Sequence, residues 1–176
     1  RNLKGSAFAL EAGPILSGEL EELVKNLEGW AFPLDPRDRV LYHASAVAVC
    51  GLLVTLIKLS ADLWDGFVGL KGENKTQALT ALMPLVRTTV ETVSRKGPID
   101  ALTGPLTRGD LAIVREHIST LKSDAPGFLP IYCHLGLAAL TVLTQGSQSK
   151  LVDRKNLEML LRDALGPDYQ ILRTPC

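Results

Sequence analysis

The chain has 176 residues, and its 19 basic and 19 acidic side chains give a formal net charge of zero at neutral pH. A balanced charge supplies no basic surface for a phosphate backbone, so we predict that nucleic acid is not a partner. The three cysteines include no closely spaced pair, which is typical of a protein in the reducing cytoplasm. The length fits one domain of ordinary size, or one domain and a fragment of another.

Residues 1–35 have the pattern strand, helix, strand. Apolar runs at Ala7–Leu10 and at residues 30–34 flank a helical stretch that we expect Ser17 to cap. Two strands joined by a helix are normally parallel neighbours, but two strands alone cannot cover their own faces and edges. The chain also begins without an initiator methionine or an apolar signal segment. We therefore expect residues 1–35 to be the last βαβ unit of an upstream sheet.

One long helix is predicted after Asp35, which is a plausible cap because Pro36 then takes the favoured first helical position. The apolar pattern continues to about residue 67, a length of roughly 45 Å. Residues 40–57 are apolar almost all round, so a membrane span has to be considered. Polar residues interrupt this run and the flanking helices are amphipathic, which favours the central helix of a soluble bundle. We therefore predict no membrane association.

Four further helices are predicted from apolar periodicity and from their end signals. Pro84 should kink the first of them, and Gly166 should stop the last. The predicted fold is mainly α, a helical bundle around one long central helix over residues 36–176, preceded by the small βαβ segment. The four predicted helices cover residues 74–95, 108–122, 126–144 and 154–165.

The sequence TGPLTRGD, residues 103–110, places turn residues, a cation and a carboxylate between two helical segments. Gly104 and Pro105 predict a turn. Thr107 and Asp110 have the three-residue spacing of a capping box, in which the Thr hydroxyl accepts the Asp110 N–H. Two interpretations stay open: the segment is only a well-capped helix start, or it holds polar side chains over a cleft.

The spacing of the cysteine and histidine residues suits neither a metal site nor a Cys-His nucleophile pair. Cys133 and His134 are adjacent, so on a helix they point about 100° apart. His43 and Cys50 share a face but lie about 10 Å apart along the helix, too far for a direct hydrogen bond. We predict no metal site. His43 alone has two interpretations, a satisfied core histidine or a functional group whose pKa responds to its neighbours.

Three segments carry a resemblance to a known family: YHASAVAVCG at residues 42–51, MPLVRTTVETV at 83–93 and GPIDALTGPLTRGD at 97–110. They resemble the C-terminal half of proteins that join a Rossmann-like NAD(P)-binding domain to a helical domain of unknown function, number 2520. That family is similar in layout to ketopantoate reductase and pyrroline-5-carboxylate reductase. The resemblance covers essentially the whole chain. It implies a bundle like the C-terminal domain of 6-phosphogluconate dehydrogenase, and a nucleotide fingerprint upstream of Arg1.

The resemblance also implies a substrate cleft that faces the nicotinamide. His43 would stand in for the lysine that polarises the carbonyl in ketopantoate reductase, as a proton donor matched to neutral pH. Arg108 would clamp a substrate anion, Thr103 would donate a hydrogen bond, and Asp110 would hold Arg108 or cap the helix. Relatives usually carry Asn where this chain has Gly51, so a donor that could orient the substrate is missing. The cleft residues implied are His43, Thr103, Gly104, Pro105, Arg108 and Asp110.

We therefore expect the substrate-binding and dimerisation domain of a cytoplasmic NAD(P)-dependent oxidoreductase that acts on a small carbonyl, imine or carboxylate-bearing metabolite. NADP or NAD would be bound mainly by the upstream domain. A homodimer is expected because the long helix is apolar on more faces than its neighbours can cover. The alternative is a non-catalytic dimeric helical interaction or regulatory module with a degenerate cleft.

Overall fold

The computed structural model of the protein describes residues 3–68, 76–145 and 153–166. This part of the chain is mainly helical, with one two-stranded sheet near its start. The chain divides into two compact units, Arg1–Leu56 and Ile57–Cys176. The predicted domain boundary after residue 35 stays a prediction.

The first unit begins with the predicted strand, helix and strand. Strands β1 (Ala7–Leu10) and β2 (Trp30–Pro33) pair in parallel and flank helix α1 (Pro14–Asn26). The predicted cap at Ser17 is wrong. Gly13 caps α1 instead, and Ser17 lies inside the helix. The reason is that Pro14, whose φ is fixed near the helical value, already starts the helix three residues earlier.

The long helix begins as predicted, because the Asp35 carboxylate accepts the backbone N–H of Arg37 at 2.9 Å. It then runs through a short 3₁₀ turn, helix α2 (Arg39–Val47), a five-residue π segment (Ala48–Leu52) and helix α3 (Leu53–Val68). We call residues 36–68 the long helix. The sequence gives no sign of the π segment.

The first half of the long helix is not wrapped by other elements in the described part of the chain. No side chain of α2 or of the π segment is buried, and Val40, Leu41 and Val49 are 79%, 74% and 69% exposed. The stretch Pro36–Gly66 is the one helix in the described ranges whose length and apolar composition suffice to cross a membrane, which alone is weak evidence of a span.

The second unit is built around helix α8 (Leu129–Leu143), which packs against α6, α7 and α9. The α8 sequence is apolar on all sides, and such a helix is stable only when it is surrounded. Gly136 lets Leu161 of α9 approach closely, since a Cβ there would lie 3.1 Å from Leu161 Cδ1. The core side chains are Val114, Ile118, Leu129, Cys133, Leu140, Leu143, Leu157 and Leu161.

Four helices were predicted for the second unit, and the described residues form six, because the short helices α5 and α6 were not anticipated. The last helix has the predicted bounds. Helix α4 continues through Pro84. Its predicted start at residue 74 lies outside the described ranges, as do all of residues 69–75. The helix predicted over residues 108–122 is present as α7, but it starts three residues later, because Gly109 adopts φ 73° and separates it from the short helix α6. The helices of this unit are α4 (Thr76–Lys96), α5 (Pro98–Ala101), α6 (Pro105–Arg108), α7 (Leu111–Asp124), α8 and α9 (Arg154–Leu165).

Gly29, at the start of β2, tests the packing of the first unit. A Cβ at this position would lie 2.6 Å from Phe8 Cε2 and 2.9 Å from the backbone oxygen of Ser6. We expect Gly29→Ala to lower the free energy of unfolding by about 1–3 kcal/mol, because backbone cannot move aside cheaply. The measurement is urea unfolding followed by the fluorescence of Trp30, with Trp64 replaced by Phe.

Gly18→Ala is the matched control, because Gly18 lies inside α1 and a Cβ there would meet nothing within 4 Å. This substitution should raise the free energy of unfolding by about 0.5–1 kcal/mol through helix propensity alone. If the two alanine variants shifted stability in the same direction, the close approach at Gly29 would be refuted.

Candidate functional site

The TGPLTRGD segment forms a single tight helical turn, α6, between two glycines with positive φ. Gly104 has φ 107° and Gly109 has φ 73°, conformations that favour glycine. The Thr107 hydroxyl donates to the Gly104 carbonyl oxygen at 2.7 Å, and the backbone N–H of Asp110 donates to the Pro105 carbonyl oxygen at 2.9 Å. The segment is therefore closed by its own hydrogen bonds.

The predicted capping box between Thr107 and Asp110 is wrong. The Thr107 hydroxyl is used within the turn, so it does not accept the Asp110 N–H. Asp110 instead caps the next helix, α7, by accepting the backbone N–H of Ile113 at 3.2 Å. Of the two roles considered for Asp110, holding Arg108 or capping a helix, the structure supports the cap.

Apolar side chains anchor this turn on the core of the second unit. Leu102 and Leu106 are half-buried and pack against the core cluster. The Cδ1 atom of Leu106 lies 3.6 Å from the Cβ position of Gly136 on α8. The polar side chains Thr103 and Arg108 are exposed, and Arg108 has no hydrogen-bond or ion-pair partner within the described residues. The turn therefore presents a free guanidinium group on a fixed backbone.

In the first unit, ion pairs join the ends of the strands to the start of the long helix. The Arg39 guanidinium donates to the Glu11 carboxylate, with Nε 2.8 Å from Oε1, and this hydrogen bond lowers the pKa of Glu11 below its ordinary 4.5. Hydrogen bonds from Arg37 likewise lower the pKa of Asp35. Both cations are thereby neutralised locally.

These contacts place the beginning of α2 at the carboxyl ends of the two parallel strands. Glu11 directly follows β1, and the Tyr42 ring lies 6.0 Å from the Phe32 ring of β2, measured between centroids. Parallel sheets bind their ligands outside these strand ends. His43 is exposed here and has no partner in the described ranges, so the interpretation as a satisfied core histidine is wrong.

The described residues do not fit the phosphates of a dinucleotide. The turn from β1 into α1 reads Glu11-Ala12-Gly13-Pro14, with one glycine where the dinucleotide fingerprint has three. In the ranges that the structure covers, no group of three or more His, Cys, Asp or Glu side chains is placed to hold a metal ion.

Two features of the sites were missed by sequence reasoning. The Glu11–Arg39 pair joins residues 28 apart, which no local spacing reveals. The His117 Nδ1 and Tyr132 hydroxyl lie 3.0 Å apart and pin α7 to α8. Next to this pair, burial raises the pKa of the Cys133 thiol to about 11, which keeps it protonated and unreactive at neutral pH.

The structure brings together the five predicted loop residues, Thr103, Gly104, Pro105, Arg108 and Asp110, within and beside α6. His43 lies in the other unit. That His43 and Arg108 share one cleft therefore stays a prediction.

Fold and site together define a mainly helical protein with a short parallel sheet and an exposed arginine on a fixed turn. The chain matches the family described as "Domain of unknown function (DUF2520)" over residues 6–139. The match includes both strands, the long helix and the TGPLTRGD turn, and the chain belongs to this family. No curated protein and no solved structure matches the chain. The relation to ketopantoate and pyrroline-5-carboxylate reductases stays a prediction.

The role of Asp110 can be tested by stability. Asp110→Ala should lower the free energy of unfolding by about 1 kcal/mol, because the Ile113 N–H loses its acceptor. Asp110→Asn should retain most of the wild-type stability, because the Asn side-chain oxygen can accept the same hydrogen bond. Urea unfolding followed by far-ultraviolet circular dichroism measures both variants. An alanine variant as stable as the wild type would contradict the capping role.

Proposed function

We propose that the chain is the substrate-binding and dimerisation part of a cytoplasmic NAD(P)-dependent oxidoreductase that acts on a small metabolite with a carbonyl, imine or carboxylate group. The observation that carries the proposal is the free Arg108 guanidinium on a turn fixed by two glycines and anchored by Leu106. A guanidinium group binds carboxylates with two parallel hydrogen bonds, which suits an anion clamp.

The remaining polar residues take roles around this clamp. Thr103 donates a hydrogen bond to the substrate, Gly104 and Pro105 let it approach the backbone, and Asp110 acts by holding the turn through its cap. His43 is the proton donor, since an imidazolium group can give a proton to a carbonyl oxygen. The proposal assigns His43 and Arg108 to one substrate, the imidazole to its carbonyl group and the guanidinium to its carboxylate.

The dinucleotide is held mainly by a preceding Rossmann-like domain, of which residues 1–35 form the last βαβ unit. Two observations support this assignment. The two strands are parallel, as in such a domain, and the Gly13 turn lacks the glycines that would bind the phosphates. Residues 36–176 form the helical domain.

A second copy of the chain covers the long helix and makes it the centre of a bundle like the C-terminal domain of 6-phosphogluconate dehydrogenase. Leu41, Val49 and Leu53 are exposed on one side of this helix, and no charged residue occurs between Val40 and Ile57. Burying one such side chain contributes about 1.5–3 kcal/mol, so an association that covers several is favourable.

The alternative is a non-catalytic dimeric module with a degenerate cleft, which the extent of the exposed apolar helix favours. Ligand binding separates the two functions. The module predicts dimers that bind no small anion, whereas the oxidoreductase predicts that Arg108 contributes to the affinity for one.

We therefore expect Arg108→Ala, in the full-length protein, to weaken the binding of a 2-oxo acid in the presence of NADPH by about 1.5–3 kcal/mol, the contribution of a hydrogen bond to a charged group. Isothermal calorimetry with pyruvate measures this loss. Stability should hardly change, because the side chain is exposed and unpaired in the described structure.

Arg115→Ala is the matched control, because Arg115 is an exposed arginine on the neighbouring helix α7. It should bind pyruvate as the wild type does. If both variants lost the same affinity for pyruvate, the effect of Arg108→Ala would be explained by the change in net charge alone. If the wild type did not bind pyruvate, the result would favour the non-catalytic module.

A further inference from the structure

The π segment changes which residues share the face of His43. An α-helix turns by about 100° per residue, so in an unbroken α-helix Gly51 would lie about 80° away from His43. A π-helix, with its i to i+5 hydrogen bonds, turns by only about 82° per residue. With Ala48–Leu52 in the π conformation, Gly51 comes to within about 10° of His43.

Val47 lies between these two residues on the same face. The resulting stripe of His43, Val47 and Gly51 is about 10 Å long. Leu41, Val49 and Leu53 fall on the opposite side of the helix. The face that carries the imidazole is therefore separate from the face that we assign to the second copy.

Gly51 forms an open notch at the end of this stripe. A Cβ at Gly51 would meet nothing within 4 Å outside its own helix. The Thr55 hydroxyl donates to the Gly51 carbonyl oxygen at 3.0 Å, which satisfies a polar atom of the π segment. Exposed valine and leucine side chains flank the notch, since Leu52 and Val54 are 60% and 66% exposed.

The chemistry of the stripe changes along its length. One end carries the imidazole of His43, and the other carries no side chain at all and is bordered by apolar groups. No charged residue occurs between Val40 and Ile57. A ligand that lies along this stripe is therefore polar at the His43 end and apolar at the Gly51 end.

We propose that the stripe binds a substrate with an extended apolar tail, and that Gly51 is a specificity-determining residue that leaves room for the end of that tail. The inference rests on the proposed function, which places the reacting carbonyl group at His43. A tail of roughly six to eight carbon atoms, with bonds of about 1.5 Å, spans the distance to Gly51. The substrate class is accordingly a medium-chain 2-oxo acid.

Pyruvate and 2-oxooctanoate test this inference in the full-length protein with NADPH, by calorimetry. The wild type should bind 2-oxooctanoate about tenfold more tightly than pyruvate or better, because apolar carbon atoms leave water. Gly51→Leu fills the notch and should reduce this ratio to about one. The variant should fold, because the position is open.

Two controls separate the tail-binding stripe from general adsorption. Gly18→Leu, at an equally open glycine of α1, should leave the ratio at the wild-type value. Octanoate, which lacks the 2-oxo group, should bind more weakly than 2-oxooctanoate. If octanoate bound as tightly, the apolar helix would be adsorbing any amphiphile and the inference would be overturned.

The outcomes also separate this inference from the proposed function. The role of Gly51 would be overturned if the wild type bound both oxo acids equally, or if the Gly51→Leu variant kept the chain-length preference. Either result would leave the proposed oxidoreductase function unaffected. Binding of neither oxo acid by the wild type would remove the proposed function and the inference with it.

Discussion

An apolar helix that the described part of its own chain leaves uncovered is the constraint on which the rest of this structure depends. Between Val40 and Ile57 no side chain is charged, and from Arg39 to Leu52 none is buried. Soluble proteins rarely leave so large an apolar surface in water, because each exposed aliphatic side chain forgoes a favourable transfer free energy. A second copy of the chain would remove this surface from water.

The π segment would let one helix serve the two purposes proposed for it, ligand binding and dimerisation. It turns the chain more slowly than an α-helix does, and so keeps His43, Val47 and Gly51 on one face while Leu41 and Val49 stay on the other. The proposed ligand and the proposed second copy would then use the same helix without competing. The ion pair between Arg39 and Glu11 fixes the start of this helix against the end of β1.

Local chemistry made part of the fold predictable. The strands follow from short apolar runs, the start of the long helix from Asp35 and Pro36, and the end of the last helix from Gly166. Where two local signals competed, the wrong one was chosen. Gly13-Pro14 starts α1 ahead of Ser17. The left-handed Gly109 ends α6, so that Asp110, and not Thr107, caps the helix that follows.

The candidate sites were only half predictable for a different reason. The loop residues lie within eight positions, so their turn could be anticipated from the TGPLTRGD sequence. The Glu11–Arg39 pair and the π segment depend on packing over a distance and leave no local pattern. The core of the second unit also lies around α8 and not around the long helix, since five of the α8 residues are buried, whereas α2 and the π segment have no buried residue.

Sedimentation velocity at tens of micromolar tests the central claim, that a second copy covers the long helix, most directly. The wild type should sediment as a dimer, and Val49→Glu should sediment as a monomer, because an uncompensated carboxylate cannot be buried in the apolar contact. Met159→Glu, at a 58% exposed position of α9, should remain a dimer. A wild type that is monomeric at this concentration, or a Val49→Glu variant that stays dimeric, would contradict the account.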